Sequence, residues 1–202
     1  MNLLKENGFQ FCPKCGSERL FFQIKNLYCK SCGFVYYQNT AVGVGVIISR
    51  HAKIPKDSKI SEISKDSEPA KSVKSTQELL LVVRAREPAL GYYDLPGGFV
   101  DPGENLEQAL LREVTEELGR EIYAKLSRPK YLLSADNHYR YKDNTYAVCD
   151  VFFRAELEGE AELIPADDVE SFVWCPADEI DFERIAFPSA KTALQLWLQK
   201  QH

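Results

Sequence analysis

Residues 97–119, GGFVDPGENLEQALLREVTEELG, constrain this chain more than any other stretch. Asn105 is a good N-cap, and Gln108 three places on completes a capping box. Leu106, Leu110, Val114 and Leu118 recur at helical spacing and form an apolar stripe that Leu111 widens. Gly119 stands where a C-cap belongs. These signals predict one amphipathic helix over 106–118. The helix places Glu113, Glu116 and Glu117 together beside the buried stripe, related by i, i+3 and i+4. They crowd its C-terminal end, where the macrodipole is negative and like charges repel. A helix shaped for stability alone would carry lysine there. Either water screens these carboxylates or a cation sits among them. Local rule-breaking of this kind marks functional sites, and grouped hard oxygen donors suit Mg²⁺ or Mn²⁺.

The flanking residues fit the cation. Pro96-Gly97-Gly98 reads as a tight loop able to turn a carbonyl towards a metal and to admit a phosphate. Arg112 is placed to orient a neighbouring glutamate through charge-assisted hydrogen bonds. Glu104, just ahead of the helix, can reach back to the same cluster.

Cysteine spacing defines a second unit. Cys12-Pro-Lys-Cys15 and Cys29-Lys-Ser-Cys32 are two CxxC pairs around a hairpin-length stretch, SERLFFQIKNLY. Four thiolates in this spacing predict a tetrahedral, structural Zn²⁺ site in a small ribbon, with glycine after each pair (Gly16, Gly33) for the tight turns. Two disulfides are the competing reading, disfavoured in a reducing compartment. Cys149 and Cys175 have no partner nearby in sequence and read as buried core thiols.

The ribbon occupies 1–38 and the main domain 39–202. TAVGVGVIIS (40–49) and ELLLVVRAR (78–86) read as strands. Between them, 51–78 is rich in Ser and Lys without a sustained apolar face, and reads as a flexible insertion. Further strand-like runs lie at 121–133, 145–157 and 169–174, and a last helix at 189–200. His138, Tyr139 and Tyr141 fall in what reads as a polar loop. Tyr92 and Tyr93 suit either a pocket wall or the core, and Trp174 suits the core. Strands interrupted by helices predict a layered α/β domain. No apolar run is long enough for a membrane span, and the first residues lack the apolar stretch of a secretory signal, so a cytoplasmic location is the expectation. The net charge of −5 argues against bulk nucleic-acid binding but not against a polyphosphate handled through metal ions.

The run Gly98-x5-Glu104-x7-Arg112-Glu113-Val114-x-Glu116-Glu117-Leu118-Gly119 resembles the signature box of Nudix hydrolases. Arg120 departs from the aliphatic residue usual at the last position, and Ile122 offers an apolar side chain in its place. The likeness extends over nearly all of 40–200. It implies an α/β/α sandwich with a mixed sheet and hydrolysis of a nucleoside diphosphate linked to another moiety. It further implies Glu113, Glu116, Glu117 and the Gly98 carbonyl as ligands of Mg²⁺ or Mn²⁺, with Arg112 and Glu104 in the catalytic machinery. Several family members take an additional acid from a later strand, and Glu156 at the end of VFFRAE is the residue expected in that place. A surface carboxylate is the alternative reading of Glu156.

A four-cysteine ribbon directly before such a domain is similar to the NADH pyrophosphatase branch, including the tyrosines Tyr36 and Tyr37 after the last cysteine. The SQPWPFP-type motif of that branch is absent; the stretch EIYAKLSRPKYLLSADNHYRYKDNTY stands there instead. The expected substrate is therefore a small nucleotide such as NADH or ADP-ribose, without commitment to either. Ribbon-bearing relatives often form homodimers. Two other classes compete. One is a nucleotide-sensing regulator, which generally loses box glutamates, whereas all are present here. The other is a binding module that uses the ribbon for nucleic acid or protein. Residues 1–50 carry six basic and two acidic side chains, which permits it.

Overall fold

The structure is a computed structural model that describes residues 5, 8–51, 77–165 and 169–200. Its first unit is a three-stranded antiparallel sheet, β1 (Leu20–Phe22), β2 (Asn26–Cys29) and β3 (Val35–Tyr37), in that order. Two turns precede β1 and β3. In each, the glycine amide donates back to the carbonyl of the first cysteine, Gly16 to Cys12 at 2.8 Å and Gly33 to Cys29 at 3.0 Å. Both glycines take positive φ, 69° and 72°, which is costly for a residue with a Cβ.

The second unit is built on a seven-stranded mixed sheet. β4 (Ala41–His51) lies near its middle and is buried over most of its length. It runs parallel to β9 (Asn144–Glu156), which pairs antiparallel with β8 (Lys130–Tyr141). On the other side stand β5 (Gln77–Arg84) and β10 (Val169–Pro176), also antiparallel. β4 and β5 touch only at Ser49–His51. Nearer its start, β4 pairs instead with β7 (Gly97–Phe99), while β6 (Tyr93–Asp94) pairs with β5. The sheet thus splits, and the split opens the cleft described below.

Helices cover both faces. Strand side chains alternate between faces. Val44, Val46 and Ile48 of β4 therefore point one way, with Leu80, Val82, Val151 and Phe153, onto α1 (Leu106–Leu118) and α2 (Arg120–Ala124). Ile47, Leu79, Leu81 and Phe152 point the other way, onto Ala190, Ala193, Leu194 and Trp197 of α3 (Pro188–Gln199). This is an α/β/α sandwich.

The expected caps of α1 are present. Asn105 Oδ1 accepts from Gln108 N, Gln108 Oε1 accepts from Asn105 N, and Gly119 closes the helix at φ 95°. Leu110, Val114 and Leu118 are buried, but Leu111 is 44% exposed and does not belong to the stripe. Ala109 and Glu117 turn inward instead, because the helix meets the sheet on that side. Arg120 is exposed and Ile122 is fully buried, so Ile122 supplies the apolar contact that Arg120 lacks.

Other expectations change. Residues 121–133 are not one strand: α2 comes first, and β8 begins only after Pro129, which cannot donate to a ladder. His138, Tyr139 and Tyr141 are not in a loop but on β8, paired opposite Ala147, Tyr146 and Asn144. Polar residues on an edge strand give little apolar alternation, so the strand reads as loop in sequence. Of the expected insertion, residues 52–76 lie outside the described residues, while His51, Gln77 and Glu78 are strand. Cys149 and Cys175 are half-buried and pack against opposite core layers. Trp174 packs partly into the first core and lies under the Arg50 guanidinium, 3.9 Å from its ring centre. Among the described residues no helix is long and apolar enough to cross a membrane.

Candidate active site

Helix α1 delivers Glu113, Glu116 and Glu117 to one cleft of about 290 Å³, which Gly97, Gly98, Asp94 and Asp150 also line. The glycine turn makes this approach feasible. A Cβ at Gly98 would lie 2.5 Å from the Glu113 carboxylate, and one at Gly97 would run into the Val44 carbonyl. Gly97 N–H donates to Glu117 Oε2 at 2.9 Å, which fixes the turn against the helix.

Arg112 organises the cluster. Its Nε and Nη2 donate to the two oxygens of Glu104 at 2.9 and 3.0 Å. Nη1 donates to Glu113 Oε1 at 2.8 Å and to Glu116 Oε2 at 3.1 Å, and Nη2 also donates to the Phe99 carbonyl at 2.9 Å. The hydrogen bonds to Arg112 hold the Glu104 carboxyl below the usual range. Glu104 thus anchors Arg112, and Arg112 aims two of the three helix glutamates.

Glu117 differs from its neighbours. It is 7% exposed, and among the described residues no cation lies within ion-pair distance. Burial pushes its carboxyl well above the ordinary value, against the Gly97 hydrogen bond and with the Glu113 charge adding to the rise. The Asp94 charge adds to the rise and the Arg84 charge opposes it only from beyond ion-pair distance, and a buried carboxylate without an ion-pair partner is costly. A hard divalent cation between Glu113 and Glu117 would supply that charge, so the donor set fits Mg²⁺ or Mn²⁺.

The cleft crosses the split in the sheet. Tyr139 of β8 and Phe187 before α3 also line it, and Asp150 of β9 leans over Gly43 towards the glycine turn: a Cβ at Gly43 would meet Asp150 Oδ1 and lie 3.7 Å from the Gly98 carbonyl oxygen. Phe99 meets Tyr139 edge-on at 5.3 Å, and Tyr139 leans on Phe187 at 5.9 Å. On the rim, Asp94 accepts from Arg84 Nη1 at 3.0 Å. Burial nevertheless raises the Asp94 carboxyl to about 6, with the Arg84 charge opposing the rise.

Glu156 does not belong to this site. It is exposed at the opposite end of β9, paired with Ser49, and lines a separate small hollow with Ser127, Arg128 and Arg154. Six residues along a strand from Asp150 is about 20 Å, too far for a side chain to span. Asp150, in the same strand, is the acid that reaches the cleft. Its neighbours in CDVFF read as core in sequence, and only the register of β9 against Gly43 shows where it points. Asp94 was hidden likewise in the loop EPALGYYDLPGG. Of the tyrosines before it, Tyr92 is exposed, while Tyr93 packs against the second core and its hydroxyl accepts from Arg184.

In the ribbon, the sulfurs of Cys12, Cys15, Cys29 and Cys32 all lie within 4.8 Å of one another. Cys12 to Cys32 is 3.8 Å and Cys15 to Cys29 is 3.7 Å. Zinc–sulfur bonds of about 2.3 Å in a tetrahedron put sulfurs about 3.8 Å apart, so the four fit a Zn²⁺ ion.

The glutamate helix, the glycine turn and the sandwich around them define a Nudix-type site. A NUDIX domain profile matches residues 73–196, and the chain belongs to that family. It is 24% identical over 194 residues to the NAD-capped RNA hydrolase NudC of Stutzerimonas stutzeri, covering 95% of this chain and 57% of that protein. The chain therefore spans little more than half that relative's length. Over 47 residues, 23% of this chain and 28% of the other, it is 43% identical to the ADP-ribose pyrophosphatase of Methanocaldococcus jannaschii. Among solved structures, a NUDIX hydrolase from Nitrosomonas europaea shares the fold with a TM-score of 0.59 at 22% identity, over 96% of this chain and 93% of that one.

Proposed function

We propose that this protein is a metal-dependent pyrophosphohydrolase, cleaving the phosphoric anhydride of a nucleoside diphosphate linked to another moiety. The observation that carries the reading is the convergence of Glu113, Glu116 and the uncompensated, buried Glu117 on a side-chain-free glycine turn. Glu113, Glu116, Glu117 and the Gly98 carbonyl would hold Mg²⁺ or Mn²⁺. Such a cation, when bound, neutralises pyrophosphate charge and lowers the pKa of water.

The chain's own residues do the rest. Gly97 and Gly98 leave room for phosphate oxygens. Arg112, tied down by Glu104, keeps Glu113 and Glu116 in fixed rotamers, so little reorganisation is needed at the moment of reaction. Glu116 gives Oε2 to Arg112 and keeps Oε1 free of any hydrogen bond among the described residues. We assign Oε1 as acceptor of the water proton. The water oxygen bonds to phosphorus, the bridging P–O bond breaks, and the second phosphate departs with the electron pair. The ribbon, residues 1–38, would hold a structural Zn²⁺ through its four cysteines, and residues 39–202 form the hydrolase domain.

The substrate class is supported by the names of two relatives, an NAD-capped RNA hydrolase and an ADP-ribose pyrophosphatase. NADH, ADP-ribose and an NAD cap all present a nucleoside diphosphate joined to a second group. The acidic balance argued against a nucleic-acid partner, but the name of the Stutzerimonas relative brings a capped RNA among the candidate substrates. The test is product release from NADH, ADP-ribose, NAD-capped RNA, dinucleoside polyphosphates and nucleoside triphosphates, with Mg²⁺ or Mn²⁺. Glu116→Gln runs beside the natural protein. Cleavage of one substrate class, lost in the variant, is expected. Silence from zinc-loaded, folded protein refutes the hydrolase reading and favours a nucleotide-binding regulator, whereas full activity in the variant refutes the role assigned to Glu116.

A further inference from the structure

At the end of β9 remote from the glutamate cleft, the sheet carries a second polar hollow of about 120 Å³. Strand pairing explains which residues meet there. Ile47 and Phe152 point towards α3, so Ser49 on β4 and Arg154 and Glu156 on β9, spaced by two along the same strands, point that way too. Lys130 of β8 is the register partner of Arg154, so the two cations stand side by side on one face. Arg128 enters from the residues before β8, and Trp197 from the last turn of α3.

Like charges directly opposite in an antiparallel pair destabilise it. Glu156 lines the same hollow, but among the described residues no carboxylate lies within ion-pair distance of Arg128, Lys130 or Arg154. The inner wall holds two further unspent donors. Ser49 is 3% exposed and Trp197 is 2% exposed. Neither the Ser49 hydroxyl nor the Trp197 indole N–H makes a hydrogen bond among the described residues, although buried groups of this kind normally find a partner. Neither atom is sealed from solvent, and the hollow is an opening that both residues line. Three cations without counter-charges around two free buried donors make a receptor for an oxyanion. The volume corresponds to roughly four waters, room for one tetrahedral anion but not for a nucleotide.

We infer that this hollow binds one phosphate group, with Arg128, Lys130 and Arg154 supplying the charge and Ser49 Oγ donating a hydrogen bond. Glu156, at its wall, lies about 20 Å along β9 from Asp150, so a phosphate here is separate from any pyrophosphate held at the glutamates. The group is either a free phosphate or a phosphodiester in the backbone of a nucleic-acid strand, since the same donors serve both. Binding here does not require hydrolysis in the cleft.

Calorimetry on the zinc-loaded protein tests this at fixed ionic strength, with Mg²⁺ and Mn²⁺ omitted so that the cleft carboxylates repel phosphate. Inorganic phosphate should bind saturably. Arg154→Gln and Lys130→Gln should each weaken it about 10- to 100-fold, the usual effect of losing a hydrogen bond to a charged group, and Ser49→Ala should weaken it less. Glu116→Gln should bind phosphate as the natural protein does, whether or not the hydrolase reading holds. A second titration uses a short uncapped RNA with hydroxyls at both ends. RNA binding that phosphate displaces and that the same variants lose assigns the hollow to backbone phosphodiesters. Phosphate binding without RNA binding assigns it to a free phosphate. No saturable binding of either probe, or affinities unchanged in both Arg154→Gln and Lys130→Gln, overturns the proposal. So does a phosphate affinity altered by Glu116→Gln, which would place the anion in the cleft.

Discussion

Replacing Glu117 by glutamine should make the metal-free domain more stable while removing its activity. Glu117 is 7% exposed, takes one hydrogen bond from Gly97 N–H, and faces the Glu113 charge. Glutamine keeps an oxygen for that amide. Its NH₂ group would face Glu113 as a donor where the carboxylate repels it. Relief of a buried group short of partners is worth about 1–3 kcal/mol. For a chain of this size that corresponds to a rise in Tm of about 2–12 °C. The sign of the pH dependence follows from burial. A carboxyl whose folded pKa is raised binds its proton more tightly when folded, so the native state loses stability as pH rises from the ordinary carboxylate range through the folded pKa. The advantage of Glu117→Gln should therefore be small near about pH 4 and larger at about pH 8. The assay is thermal melting followed by circular dichroism, with zinc retained and Mg²⁺ and Mn²⁺ omitted. Adding Mn²⁺ should then raise the Tm of the natural protein more than that of the variant. A variant that melts below the natural protein at the higher pH without these cations would refute the argument that Glu117 is an uncompensated charge.

Arg112→Lys should lower kcat about 10- to 100-fold with little change in KM. Lysine cannot reproduce the fork that holds Glu104, Glu113, Glu116 and the Phe99 carbonyl together. Steady-state kinetics decide it, and an unchanged kcat would reduce Arg112 to a surface contact. The ribbon should carry about one Zn²⁺ per chain by atomic absorption. Cys29→Ser, at a fully buried ligand, should release it and open the ribbon to protease. Zinc that stays bound in that variant would show that the four sulfurs do not form the site.

Much of the glutamate end of the cleft was legible before any fold was known. Its signals are local: an Asn–Gln capping box, a terminal glycine, and three carboxylates within one turn. Helix periodicity converts those spacings directly into positions on a face. Leu111 departs from the expected stripe for a related reason. Periodicity defines a stripe, but the angle at which α1 meets the sheet decides how wide the buried part is, and here it takes Ala109 and Glu117 instead.

The rest of the cleft lining was not legible. Asp94, Asn137, Asp150 and Ser189 lie on separate stretches of the chain; the first three sit in runs that read as loop or core, and Ser189 at the start of the last helix, with nothing local to join them. Glu156 and Asp150 share a strand, and both occur as acids near apolar neighbours. Their separation of about 20 Å only acquires meaning once β9 is registered against β4.

By itself, then, the sequence determined the helix that carries the glutamates, the glycine turn beside it and the four-sulfur ribbon, because short-range hydrogen bonding and spacing specify each. Tertiary structure alone decided that the sheet splits between β4 and β5 and that the cleft runs through the split. It also decided that Asp150 rather than Glu156 faces the cleft, since strand pairing joins residues about which neighbouring sequence carries no information.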